Sequence, residues 1–108
     1  MKSAVKKIIS LNKKEPKTAM EVMVKIQEEC GELAAEMLRY IGKKGANGDS
    51  KKVLKTKILE ESCDIIITCV SVIEKFGFQE KDISKMIKKK CIKWKANQKK
   101  YKDWEKIK

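Results

Sequence analysis

The chain has 108 residues and a formal net charge of +12, with 42% hydrophobic residues, 6% aromatic residues and a single proline. That length fits one domain. The apolar content is too high for a disordered chain, and the Lys-, Glu-, Ile- and Met-rich, aromatic-poor profile disfavours a β-sandwich or barrel.

Residues 1–17 form an N-terminal segment. Val5, Ile8, Ile9 and Leu11 lie among lysines and predict a short amphipathic helix over 2–11. A helix this short is expected to pack on its own domain rather than bind a membrane surface. Residues 12–17, with Pro16, read as a connector. Thr18-Ala19-Met20-Glu21 matches a capping box, in which Thr and Glu satisfy each other's free amides. A helix should run from there to about Tyr40 or Ile41, with Met23, Ile26, Cys30, Leu33, Met37 and Tyr40 as its apolar seam. Glu29, Glu32 and Glu36 form an adjoining ridge. Gly31 costs that helix roughly 1 kcal/mol against alanine and leaves room for a close approach.

Residues 42–49 are a turn-rich loop without the Gly-x-x-x-x-Gly-Lys-Ser/Thr pattern of a P-loop. Asp49 or Ser50 can cap the next helix, expected over 50–76. Its stretch from Ile65 to Ile73 is apolar nearly all round, and such a helix must be covered on all sides. Three or four helices of one short chain hardly manage that, so self-association is expected, with this helix near the dimer axis. Gly77-Phe78 ends the helix. A further helix should start near 79–82 and pass Asn97, with a seam of Ile83, Ile87, Cys91, Trp94 and Tyr101. Residues 98–108 read as a basic tail. Residues 1–108 thus make a single helical domain. With no leader and no apolar run of about 18 residues, a cytoplasmic, non-membrane protein is expected.

The charge is uneven. Residues 79–108 hold twelve lysines against four acids, whereas seven of the fifteen acids lie at 28, 29, 32, 36, 60, 61 and 64. Glu29/Glu32 and Glu61/Asp64 are acids three residues apart, each pair inside an apolar run. On a helix such pairs share a face, and if the two helices pack side by side four carboxylates converge. Two like charges about 5 Å apart repel by roughly 3 kcal/mol at an effective dielectric near 20. Either the acids face water or they hold a cation, and an oxygen-only ligand set favours Mg²⁺ or Mn²⁺. The four cysteines form no Cys-x-x-Cys pair and histidine is absent, which argues against zinc. Cys30 and Cys63 are expected to be small buried hydrophobes.

Glu28-Glu29-x-x-Glu32 followed by Glu61-x-x-Asp64 resembles the signature of MazG-like, all-α nucleoside triphosphate pyrophosphohydrolases, and Gly31-Glu32-Leu33 and Asp64-Ile65-Ile66 strengthen the match. The resemblance covers about residues 18–97. It implies an antiparallel helical protomer that completes a four-helix-bundle-like core by dimerising, sometimes further into a tetramer. It implies Mg²⁺-dependent cleavage of NTP or dNTP to a nucleoside monophosphate and pyrophosphate. By motif, Glu29, Glu32, Glu61 and Asp64 hold the metal, and Glu28 faces away from Glu32. Lys57 matches a family lysine that touches phosphate; the plainer alternative is an i,i+4 ion pair. Lys90 matches a basic position on the last helix. Where the family often continues with Asn or Arg, this chain has Lys93, Trp94, Lys95 and then Asn97, so Lys93 joins the expected substrate contacts. The rival reading is a basic helical nucleic-acid-binding protein without catalysis, using Lys88, Lys89, Lys90, Lys93 and Lys95. A third is a nucleotide sensor without turnover.

Overall fold

Helix boundaries follow from local capping chemistry. The computed structural model describes residues 2–42, 45 and 48–107, the Lys2 side chain excepted. Among them are four helices and no strand: α1 Lys2–Asn12, α2 Ala19–Tyr40, α3 Lys51–Lys75 and α4 Glu80–Ile107. Thr18 and Glu21 close the capping box on α2, each bond 3.2 Å long. Ser50, not Asp49, caps α3, accepting from the Val53 amide at 3.2 Å. Gly77 ends α3 at φ 89°, a left-handed conformation that glycine adopts without steric cost. The Asp82 carboxylate accepts from the Gln79 amide at 2.8 Å and starts α4. Of the turn-rich loop, Lys43, Lys44, Ala46 and Asn47 lie outside the described residues.

α2 packs against α3, and α1 packs against α3 and α4. The core joins Val5 and Ile9 of α1 to Val70 of α3 and Ile83 of α4, flanked by Ile8 and Ile73. The N-terminal helix therefore buries its apolar face within its own fold. A buried polar latch fixes it there. Asn12 donates from Nδ2 to the Ser71 carbonyl at 3.1 Å and to Glu74 Oε2 at 2.5 Å, while its Oδ1 accepts from the Ser71 hydroxyl. A residue expected only to connect two helices instead satisfies buried groups 59 positions away.

The α2 seam is rotated from the expected one. Met23, Cys30 and Met37 are exposed; Val22 and Glu29 are buried, with Ile26, Leu33, Glu36 and Tyr40 half-buried. The acid ridge, not the methionine face, meets α3. α2 is apolar on two adjoining faces that share Ile26, Leu33 and Tyr40, so periodicity alone does not decide between them. Cys30 and Cys63 are also exposed, as are Cys69 and Cys91, so neither is the buried hydrophobe expected. A Cβ at Gly31 would meet open space, so nothing in this chain uses the room it leaves.

Residues 98–107 continue α4 as helix, and every residue from Lys85 to Ile107 is exposed. Its 28 residues make a rod of about 42 Å. The radius of gyration is 17.7 Å, against roughly 13 Å for a compact chain of this length. No helix among the described residues is long and apolar enough to cross a membrane.

The latch predicts a measurable cost. Asn12→Ala removes the side chain that bonds Ser71 and Glu74, which should lower unfolding free energy by about 1–3 kcal/mol. Urea denaturation measures this, and a loss below about 0.5 kcal/mol, the range of neutral surface changes, would contradict the latch.

Candidate metal centre

α2 and α3 form an antiparallel hairpin. Near the loop the Lys51 ammonium sits 4.9 Å from the centre of the Tyr40 ring. Toward the other end Val22 and Thr68 line one cavity. Midway, one carboxylate oxygen from each of Glu29, Glu32 and Glu61 lies within 4.8 Å of the other two. The α2 acids are one turn apart, and Glu61 faces them from α3.

Burial within the trio is graded. Glu29 is 4% exposed, Glu61 is half-buried and Glu32 is exposed. Glu29 Oε1 pairs with Lys25 Nζ at 3.3 Å. Glu29 Oε2 and Glu61 Oε2 are buried and have no hydrogen-bond partner among the described residues. The Glu61 carboxyl is pushed up to about 7, first by a hydrogen bond with Glu32, then by burial and by the nearby charges of Glu32 and Glu29. Glu29 in turn holds the Lys25 ammonium above its ordinary pKa, by hydrogen bond and by charge, with Glu28 adding to it.

The structure thus brings together three of the four expected ligands. Asp64 is exposed and lies outside the trio, and its carbonyl accepts from the Thr68 hydroxyl at 2.6 Å. Glu28 is exposed, as expected for a residue facing away from Glu32. Lys57 pairs with Asp49 at 2.6 Å rather than with Glu61, and that bond raises its pKa. Lys90 and Lys93 lie on the exposed part of α4, whose packing partner is α1, away from the carboxylates.

Two features went unread in the sequence. Lys25 stands four residues before Glu29, a spacing that signals an ion pair. Glu36 and Arg39 form a second pair at 2.5 Å, with Glu36 Oε2 and Arg39 Nε buried and unpartnered among the described residues. The spacing of three was again the available signal.

The donor set fits a hard divalent cation. All three ligands are oxygens. The proton that Glu61 keeps to about pH 7 relieves the crowding below that pH; above it two buried oxygens of the trio lack any donor among the described residues, a state that costs stability unless a cation meets them. Soft-metal chemistry is disfavoured because no histidine exists in the chain and no thiol joins the trio. No family model, curated protein or solved structure matches the chain. The resemblance to MazG-like enzymes therefore stands on the motif residues alone.

The raised Glu61 pKa fixes a sign. The folded chain keeps that proton to about pH 7, whereas an unfolded glutamate releases it near 4.5. Between those values the folded state binds more protons, so its metal-free stability falls as pH rises. Denaturation in chelator should show the parent losing stability relative to Glu61→Gln across that window. Added Mg²⁺ or Mn²⁺ should reverse the loss for the parent only. A constant gap between the two proteins would exclude the strained carboxyl.

Proposed function

We propose that the chain is a Mg²⁺-dependent nucleoside triphosphate pyrophosphohydrolase, cleaving between the α- and β-phosphates to release a nucleoside monophosphate and pyrophosphate. One observation carries the reading: an oxygen of each of Glu29, Glu32 and Glu61 lies within 4.8 Å of the other two, and Glu29 and Glu61 each keep a buried Oε2 without a partner among the described residues.

In this reading Glu29, Glu32 and Glu61 hold the cation, and Asp64, one turn beyond Glu61, is the fourth ligand named by the motif. A divalent cation so held supplies charge against the phosphates and lowers the pKa of water. The carboxylates themselves exclude phosphate by repulsion unless that charge is present, so they couple substrate binding to metal binding. Lys25 keeps an ammonium 3.3 Å from Glu29, ready to meet a phosphate oxygen. Lys57, held by Asp49 at the loop end of the hairpin, supplies a second positive charge on α3. These lysines oppose the charge that builds on departing pyrophosphate. A motif carboxylate accepts the proton of the attacking water.

The reading includes a homodimer or homotetramer. Leu59 and Ile66 of α3 and Ile87, Trp94 and Tyr101 of α4 are exposed apolar side chains. A second copy covering them completes a four-helix core. It would also bring Lys90 and Lys93 to a neighbour's phosphates, which their place on α4 prevents within one chain.

A second reading is favoured by α4 itself. From Lys85 onward its lysines are exposed together with Trp94, an arrangement suited to nucleic-acid phosphates and a stacked base. It leaves the buried acids unexplained and ranks second.

The deciding experiment incubates nucleoside triphosphates with Mg²⁺ and measures pyrophosphate and phosphate separately. Pyrophosphate should appear without phosphate. Glu32→Gln, at an exposed position, should keep the helical circular dichroism yet lose activity on the order of a hundredfold, the scale of one electrostatic contribution. Parent-level turnover by that variant sinks the assignment. Salt-sensitive binding of DNA or RNA with no pyrophosphate release would favour the second reading.

A further inference from the structure

We infer that the groove between α1, α2 and α3 receives the base and sugar of the nucleotide, which makes α1 the wall that selects among substrates. This rests on the pyrophosphohydrolase reading of the carboxylate trio and adds where the uncharged half of the substrate lies.

The groove encloses about 260 Å³, just below the roughly 300–1,000 Å³ of pockets for drug-sized ligands. That is the scale of a ring and sugar, not of a large cofactor. Ile8 and Leu11 of α1, Val22 of α2 and Ile67 of α3 make its apolar walls. Leu11 is 64% exposed and Ile67 48% exposed, so these walls now face water that a flat ring would displace. Six polar or charged residues also line it: Asn12 and Ser71, bonded to each other, Glu15, Lys17, Lys25 and Thr68. The Thr68 hydroxyl donates to the Asp64 carbonyl at 2.6 Å, and its oxygen can still accept from a sugar hydroxyl. Lys17 offers a donor suited to a ring carbonyl.

Position ties the groove to the acids. Val22 lies seven residues before Glu29 on α2, and Thr68 seven residues after Glu61 on α3. Seven residues is close to two turns, so each pair shares a helix face, about 10 Å apart along the axis. Antiparallel packing points both offsets the same way. Lys25 bridges the gap, lining the groove while its ammonium pairs with Glu29. Charge at one end and an apolar slot at the other match a nucleotide's own polarity. The Asn12 latch holds the α1 wall in place before any ligand arrives.

The test uses the full chain in Mg²⁺, with its Ile, Leu and Val methyls labelled for NMR. A nucleoside monophosphate should shift the Ile8, Leu11, Val22 and Ile67 methyls, and ribose 5-phosphate should not. Leu11→Glu, at an exposed site, should weaken that binding about tenfold or more, and Leu11→Met should keep it. Unmoved methyls, or equal shifts with ribose 5-phosphate, overturn the inference. So do methyl shifts that follow protein dilution instead of nucleotide, which would make the groove a contact between copies. Broadening by Mn²⁺ at Glu29, Glu32 and Glu61 is read separately. If broadening is absent while the methyls shift, the metal reading fails and the groove stands; the reverse result fails the groove alone.

Discussion

Three carboxylates held together between two packed helices set the terms for the rest of this chain. A pair of such charges about 5 Å apart repels by roughly 3 kcal/mol at an effective dielectric near 20. A small domain has only about 5–15 kcal/mol of net stability. The chain answers the repulsion locally and incompletely. Lys25 meets one oxygen of Glu29, and Glu61 retains a proton to about pH 7. Two buried oxygens still lack partners among the described residues. The hairpin is therefore held by its ends: Leu54 and the Tyr40–Lys51 contact near the loop, and Val22, Thr68 and the α1 clamp at the other end.

Charge is sorted on a larger scale as well. Glu29, Glu36 and Glu61 are buried or half-buried where α2 meets α3, while the lysines of α4 stand on an exposed rod. A net charge of +12 attracts polyanions over a Debye length. The acidic centre repels the same ligands until a cation arrives. In the proposed reaction, attraction outside and conditional repulsion inside would make a filter that admits phosphate only with metal. Such sorting would account for the acid trio, which the nucleic-acid reading does not.

Local chemistry was legible in the sequence, and rotation was not. Thr18, Ser50 and Gly77 mark helix ends because capping depends on neighbours within a few residues. The trio was legible for the same reason: a spacing of three fixes a shared face, and two such helices joined by a short loop must lie together. Asp64 shares Glu61's spacing signal yet stands outside the trio, because spacing does not fix a side chain's final direction. The face that α2 turns inward was misread because Met23, Cys30 and Met37 are as apolar as a core seam. The Asn12–Ser71–Glu74 latch left no local trace, since its partners meet only once α1 crosses α3. Lys57 has Glu61 one turn away, yet the loop supplies Asp49 as its partner.

Lys25 joins these strands of argument. In the metal-free chain its ammonium is engaged by Glu29. A cation on the same carboxylate competes for that oxygen, and the lysine is then free at the mouth of the α1/α2/α3 groove. Loss of one partner leaves a long, flexible cation seeking another, and a phosphate is the strongest acceptor that the proposed reaction brings. In the proposed reaction the site would assemble in order: the acids would take up the cation, Lys25 would turn to the phosphate, and the apolar walls would receive what remains. An arrangement of that kind needs no large motion of the backbone, only the exchange of one ion pair for another.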